Sequence, residues 1–242
     1  MSQTKLLYLE NFELLEAKSK VESVSTEDDK TVITLDQTIF YPQGGGQPCD
    51  QGTIESGGAN FIVEEVRFVD GVVKHIGHFE FGDFTDGDEA TGKVNAARRQ
   101  LHSRLHSAGH IVDMALNGLG INWMPVKGYH FPEGPYVEYQ GDISEFDKEK
   151  QKKKIETTCN DIIRKGAQTK LVFMDKSEMS TVCHHVPDYI PIDKPSRVVM
   201  YGDFGVPCGG THVVNLKDIG RITIRKIKAS KGNIRVAYDV EN

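Results

Sequence analysis

The stretch NAARRQLHSRLHSAGHIVDMALNGLG, residues 95–120, decides how the rest of the chain is interpreted. Its apolar residues recur at three- and four-residue intervals, which is the spacing of one buried helix face; they are Leu101, Leu105, Ala108, Ile111, Val112, Ala115 and Leu116. Gly118 and Gly120 suit the C-terminal end of a helix. The pattern therefore predicts one long helix that follows a change of texture at about residue 95.

The chain before this helix has the pattern of short strands. Residues 5–9, 21–24, 31–35 and 61–69 are β-branched or alternating, and glycine, aspartate and serine separate them. The segment 72–94 continues in the same way, with Gly-Asp turns. We therefore expect residues 1–94 to form a small β domain that resembles a barrel.

The chain after the helix combines both periodicities. Residues 144–166 predict a second helix, with Ser144 as its N-cap and Gly166 beyond its end. Strand-like segments follow; they are KLVFM, SRVVMYG, RITIRKIKAS and NIRVAYDV. The predicted fold class is α+β, in which residues 95–242 form a two-layer domain with an antiparallel sheet covered by helices.

Composition narrows the class of protein. The chain has 242 residues, of which 38% are hydrophobic and 26% charged, as in a globular protein with its own core. It contains no apolar run of membrane-spanning length and no signal-peptide pattern, so we expect a cytoplasmic location. The formal net charge of −6 argues against indiscriminate nucleic-acid binding but allows local basic patches.

Two pairs of side chains have the spacing of metal ligands. CGGTH places Cys208 and His212 around two glycines, and HSAGH places His106 and His110 on one helix face. Together they offer three nitrogens and one sulfur, a set that suits Zn²⁺. His102 lies four residues before His106, and spacing favours the 106/110 pair over the 102/106 pair only slightly.

The combined motifs resemble a known family. RRQLHSRLHSAGHIVDMAL (98–116), CGGTHVVNLKDIGRITIRKI (208–227) and the glycine-rich LDQTIFYPQGGGQPCDQGTI (35–54) are similar to the editing domain of alanyl-tRNA synthetase and its free-standing AlaX relatives. The resemblance covers residues 30–240 and is strongest to the medium form, which has an N-terminal β domain. The family pattern selects His106 as the first ligand, which removes the ambiguity with His102.

The resemblance implies a trans-editing hydrolase. It would deacylate mischarged tRNA(Ala), chiefly Ser-tRNA(Ala), with Gly-tRNA(Ala) as a second candidate. Its zinc ligands would be His106, His110, Cys208 and His212. The substrate-binding residues would be Thr38, Gly44, Gly45, Gly46, Gln47, Gly209 and Gly210. No catalytic residue is identified, because Ser107 stands where a zinc peptidase would have its glutamate base.

Two other functions fit parts of the pattern. The chain could be a non-catalytic tRNA-binding module with a structural zinc, or a metallohydrolase of small esters. A tRNA partner requires positive charge, and residues 217–235 carry basic side chains against Asp218 alone. We expect RNA contact at this basic strip, 217–235. Asp203 is a candidate to orient a ligand histidine, whereas His184 with His185 and His75 with His78 are expected to be structural.

Overall fold

A computed structural model describes residues 3–144 and 147–241. The chain divides into two compact units, the first formed by residues 1–44 with 48–100 and the second by residues 45–47 with 101–242. Residues 45–47 thus belong to the second unit, although the residues on both sides of them in the sequence belong to the first. The domain limits 1–94 and 95–242 stay a prediction.

The first unit consists of short antiparallel strands with two small parallel ones. The strands are β1 (Lys5–Leu6), β2 (Glu16–Glu27), β3 (Lys30–Leu35), β4 (Gln37–Thr38), β5 (Gly52–Ser56), β6 (Ala59–Val69), β7 (Val72–Phe81) and β8 (Glu89–Val94). Six of them close a barrel in the order β2-β3-β7-β6-β5-β8. Alternate side chains fill its interior, among them Ile33, Ile54, Phe61, Val66 and Val73.

A buried ion pair stabilises the first unit. Arg99 and Asp50 are almost fully buried, and Nη2 of Arg99 lies 2.5 Å from Oδ2 of Asp50. The guanidinium also donates to the backbone oxygens of Phe12 and Ile39, and the carboxylate accepts from the N–H of Tyr41 at 2.6 Å. The charged groups of both residues thus have partners. Removal of either residue would leave the other charge buried without compensation.

The second unit has two layers. Its helices are α1 (Ala96–Gly118, of which residues 96–100 belong to the first unit), α2 (Lys148–Lys165) and α3 (Lys176–Met179). Its strands are β9 (Met124–Tyr129), β10 (Tyr136–Gln140), β11 (Thr169–Met174), β12 (Ser196–Tyr201), β13 (Phe204–Pro207), β14 (Arg221–Ser230) and β15 (Asn233–Glu241). The strands form a four-stranded antiparallel sheet, β14-β15-β10-β9, and a three-stranded antiparallel sheet, β11-β12-β13.

The core of the second unit lies between helices and sheet. Ile111 and Leu116 of α1 and Ile155 of α2 are buried together with Val236 and Tyr238 of β15. The predicted α+β class, with an N-terminal barrel and helices on an antiparallel sheet, is therefore confirmed. Within the described part of the chain, no helix is long and apolar enough to span a membrane.

Three local predictions need correction. Helix α2 begins after Asp147, whose carboxylate accepts from the N–H of Lys150, so Asp147 and not Ser144 is its N-cap. The predicted first turn includes residues 145–146, which lie outside the described residues. Residues 5–9 form only a two-residue strand followed by a 3-10 turn. Leu101 is 38% exposed, unlike the other apolar residues of the predicted helix face.

Replacing Asp50 by Ala should destabilise the protein strongly. The substitution leaves the Arg99 guanidinium buried without its counter-charge, which typically costs about 3–5 kcal/mol of unfolding free energy. Glu27→Ala is the control, because it breaks an exposed ion pair with Lys74, worth less than about 1 kcal/mol. Urea unfolding of both variants measures the difference, and equal losses would contradict a stabilising role for the buried pair.

Candidate metal centre

Four side chains from two segments of the second unit converge. His106 and His110 leave one face of α1, while Cys208 and His212 come from the loop after β13. One ligand atom from each lies within 4.8 Å of every other, and three of the four residues are buried. His102 is also buried but is not part of this group. The geometry thus brings together the two ligand pairs found in the sequence.

The carboxamide of Gln47 determines the tautomer of His106. Its Oε1 accepts from the N–H of Thr211 at 3.0 Å and lies 2.7 Å from Nδ1 of His106. A carbonyl oxygen can only accept, so Nδ1 carries the proton. The unprotonated Nε2 therefore faces Sγ of Cys208, at 3.4 Å. Gln47, expected to contact substrate, is fully buried and orients a predicted metal ligand.

A carboxylate plays the corresponding role at His110. Nδ1 of His110 lies 3.6 Å from Oδ2 of Asp113, and the other oxygen of Asp113 accepts a hydrogen bond from the hydroxyl of Tyr139. Asp203, which the sequence suggested for such a role, is exposed at the turn between β12 and β13. Asp113 was overlooked, although it follows His110 by three residues and so lies on the same helix face.

The loop that carries Cys208 and His212 is held from several sides. Arg197 of β12 donates to the backbone oxygens of Cys208 and Gly210. The hydroxyl of Tyr201 lies 2.9 Å from Nδ1 of His212. These contacts direct Nε2 of His212 rather than Nδ1 towards the cluster.

Two glycines permit close approach at the site. A Cβ atom on Gly210 would lie 2.2 Å from Cε1 of His106, and one on Gly46 would lie 2.2 Å from the backbone oxygen of Gly128. Gly46 also has a positive φ of 78°. Both positions therefore require glycine, for reasons of packing. At Gly44 an added Cβ would meet only ordinary contacts at 3.8 Å.

The electrostatics of the cluster favour a thiolate. Burial alone raises the pKa of Cys208, but His110, the Arg197 guanidinium and the N–H of Gly210 outweigh it and hold the pKa below its usual value. Burial lowers the pKa of His110, yet Asp113 and Cys208 reverse the effect and raise it to about 9. Burial, then neighbouring positive charge, holds the pKa of His106 and His212 far below the usual value.

The donor set fits one divalent metal ion. Nε2 of His110 is buried and has no hydrogen-bond partner among residues 3–144 and 147–241. A buried imidazole nitrogen without a hydrogen-bond partner is costly, and a metal ion that took the place of its proton would satisfy it. One thiolate and three imidazole nitrogens match the ligand preference of Zn²⁺, and all four positions are supplied by the chain.

A further histidine of the site was missed in the sequence. The ring of His130 stacks on His106 with centroids 4.5 Å apart. The hydroxyl of Tyr238 donates to the backbone oxygen of Leu105, so it must accept from Nδ1 of His130, at 2.7 Å. Nε2 of His130 is therefore the unprotonated nitrogen. His130 has no spacing relation to the ligand pairs, so no sequence signal points to it.

Thr38 lies inside the first unit, where its hydroxyl is bonded to His75. Nδ1 of His75 lies 3.0 Å from the backbone oxygen of Ile33 and must donate, while Oγ1 of Thr38 lies 2.8 Å from Nε2. Burial, only partly offset by the Ile33 bond, lowers the pKa of His75 to about 4, so the ring is neutral and Thr38 is the donor. Oγ1 also accepts from the N–H of Phe40, which leaves one lone pair.

The remaining histidines behave as structural or surface residues. His184 lies 2.8 Å from the amide nitrogen of Asn117, and neither it nor His185 belongs to the ligand group. His78 is exposed beside Glu64, on the opposite face of β7 from buried His75.

Two family descriptions match the chain. Residues 4–98 match the family described as tRNA synthetases class II (A). Residues 196–237 match the family described as the threonyl and alanyl tRNA synthetase second additional domain. The second match contains Cys208 and His212, half of the ligand cluster.

Individual relatives cover nearly the whole chain. The alanyl-tRNA editing protein AlaX-M of Pyrococcus horikoshii is 32% identical over 95% of this chain and 93% of its own length. AlaX-M of Methanosarcina barkeri is 30% identical over 97% and 98%. The alanine–tRNA ligase of Methanothrix thermoacetophila is 33% identical over 85% of this chain, which spans 23% of the ligase. The chain thus spans about a quarter of such a ligase.

Removing the Gln47 carboxamide should destabilise the second unit. Gln47→Ala leaves the N–H of Thr211 and Nδ1–H of His106 buried without an acceptor, a loss of about 2–4 kcal/mol of unfolding free energy. The control is Gln43→Ala, four residues earlier, where the side chain is exposed. Chemical denaturation compares the two variants, and a Gln47 variant as stable as the control would mean that the amide is not needed to order the site.

Proposed function

The chain belongs to the family of alanyl-tRNA editing proteins, and we propose that it is a hydrolase that deacylates mischarged tRNA(Ala). The bond cleaved is the ester between the amino acid and the ribose of the terminal adenosine. Ser-tRNA(Ala) is the proposed main substrate and Gly-tRNA(Ala) the second. Such a substrate implies a cytoplasmic place of action.

The observation that carries the proposal is the buried ligand cluster. We assign one Zn²⁺ per chain to His106, His110, Cys208 and His212. When bound, the ion supplies positive charge that can polarise an ester carbonyl or lower the pKa of a water molecule. The chain itself prepares this arrangement, because Gln47, Asp113 and Tyr201 orient the three histidine rings.

The glycine segments supply backbone donors for the reacting ester. We assign substrate contact to Gly44, Gly45, Gly46 and Gln47 of the first segment and to Gly209 and Gly210 of the second. An ester is already an activated carbonyl, so orientation and stabilisation of the oxyanion suffice for hydrolysis.

The tRNA itself requires cationic surface, which we assign to the basic strip 217–235. Five of its side chains, Lys217, Arg221, Lys226, Lys228 and Lys231, are exposed and have no ion pair within the described ranges. The overall negative charge of the chain limits other RNA contact, so binding is modest and product can leave.

The test is deacylation of Ser-, Gly- and Ala-tRNA(Ala), with zinc content measured on the same samples. Wild type should hydrolyse the serine ester, spare Ala-tRNA(Ala) and carry one zinc per chain. Cys208→Ala should lose zinc and at least about tenfold in rate, since it removes a ligand. Cys183→Ser is the control, because Cys183 lies outside the ligand group. Binding without turnover would identify a tRNA-binding module, and hydrolysis of simple esters alone a general esterase.

Thr38 is the proposed contact for the serine hydroxyl. Its own proton is directed to His75, so its remaining lone pair can only accept, and a serine hydroxyl can donate to it. Alanine and glycine lack that donor. Thr38, held by His75, therefore favours Ser-tRNA(Ala). With an alanine or glycine substrate, the remaining lone pair of Thr38 would have no donor.

Thr38→Val should slow hydrolysis of Ser-tRNA(Ala) by an amount worth about 1–3 kcal/mol, roughly 5- to 150-fold. Hydrolysis of Gly-tRNA(Ala) should change much less, because glycine makes no such bond. Thr38→Ser is the control, since it keeps the hydroxyl and should keep most of the rate. Parallel time courses on both substrates decide the point, and equal losses on the two would remove Thr38 from serine recognition.

A further inference from the structure

One face of the four-stranded sheet in the second unit is turned away from the helices. Side chains alternate along its strands, so that Val137, Ile234 and Val236 lie in the core. Their neighbours in the ladder lie on the opposite face, where Tyr136 pairs with Tyr129, and Lys228 with Arg235. We call this opposite face the outer sheet face; its aromatic and basic residues are Lys127, Tyr129, Phe131, Tyr136, Lys226, Lys228 and Arg235, and the acidic Glu138 lies between Lys127 and Arg235.

Four planar groups form a column on the outer sheet face. The rings of Phe131 and Tyr129 are 4.6 Å apart and 16° from parallel, and those of Tyr129 and Tyr136 are 5.1 Å apart and 17° from parallel. The guanidinium of Arg235 lies 3.8 Å above the ring of Tyr136. Arg235 covers one end of the column, and the partly exposed Phe131 forms the other end.

The lysines of this face carry its positive charge that is not neutralised by an ion pair among the described residues. Lys127, Lys226 and Lys228 are exposed, and none has an ion pair with any residue that the structure describes. Two arginines of the same sheet, Arg225 and Arg235, do have internal partners. Arg235 is paired with Glu138 at 2.7 Å, and Arg225 with Asp239 at 3.1 Å and with the backbone oxygens of Tyr238 and Pro135.

We propose that the outer sheet face binds RNA, with the lysines on phosphates and an unpaired base stacked on Phe131. The inference rests on the proposed function for the identity of the RNA, a tRNA. Phosphate contacts need cations without internal partners, and unpaired bases bind by stacking on aromatic rings. An acidic polypeptide would use the lysines but not the end of an aromatic column. Within the basic strip, this assigns the contact to Lys226 and Lys228 and adds Lys127 from outside it.

The charge part is tested with the triple variant Lys127→Ala, Lys226→Ala, Lys228→Ala. Its affinity for uncharged tRNA(Ala), measured by fluorescence anisotropy over a salt series, should fall at least about tenfold, and the slope of log K against log salt should flatten by about 2. The matched control removes the same charge from α2 with Lys148→Ala, Lys153→Ala, Lys154→Ala and should leave both unchanged. Equal effects of the two triple variants, or an unchanged slope, would overturn the proposal.

The stacking part is tested with Phe131→Leu. Affinity should fall several-fold for tRNA, which has an unpaired 3′ end, and stay constant for a blunt RNA duplex. Loss on neither RNA, or equal loss on both, would refute stacking at Phe131. Polyglutamate that binds wild type and depends on the lysines as tRNA does would assign the face to an acidic polypeptide. Because uncharged tRNA is used, RNA binding without deacylation would refute the proposed function and leave this inference standing.

Discussion

The carboxamide of Gln47 satisfies the N–H of Thr211, the hydroxyl of Thr211 and Nδ1–H of His106 at once. Together with Gln47 these groups join three segments, and the Gln47–His106 bond spans 59 positions of the chain. All three residues are buried, and the amide is the acceptor for the N–H of Thr211 and for Nδ1–H of His106, while the hydroxyl of Thr211 also bonds to Ser103. These bonds orient His106 and join Gln47, which follows the first glycine segment, to the loop after β13, and Arg197 and Tyr201 hold that loop as well.

The cluster beside this amide is an unfavourable arrangement for isolated imidazoles. Three histidine rings and His130 lie close together, and their mutual repulsion adds to the cost of burying charge. Two features offset this cost. The pKa of Cys208 is held below its usual value, and the carboxylate of Asp113 lies beside His110. A buried site that combines a thiol of lowered pKa with three imidazole nitrogens suits a metal ion, which would take the place of their protons.

Strand β15 contributes to two regions of the second unit. Its inner side lies near the ligand cluster, and its outer side belongs to the outer sheet face. Tyr238, on the inner side of β15, bonds to His130 beside the cluster, while Arg235, three residues earlier, lies on the outer side. The period of a strand therefore lets one element contribute to chemistry on one side and to recognition on the other. Strands β9 and β10, which supply Tyr129 and Tyr136, were absent from the predicted strands; proline and glycine interrupt the pattern of β9, and β10 has only five residues.

The sequence by itself determined the barrel, the long helix and the ligand pairs. Alternation, helical spacing and an i, i+4 pair are properties of residues close in sequence. They can therefore be identified without knowledge of the tertiary contacts. Tertiary structure decided the roles of Gln47 and His130, the engagement of Thr38 by His75, and which basic residues share a face with aromatic rings. Those outcomes depend on hydrogen-bond direction and on contacts between distant segments. Only packing brings such segments together, and no local pattern encodes them.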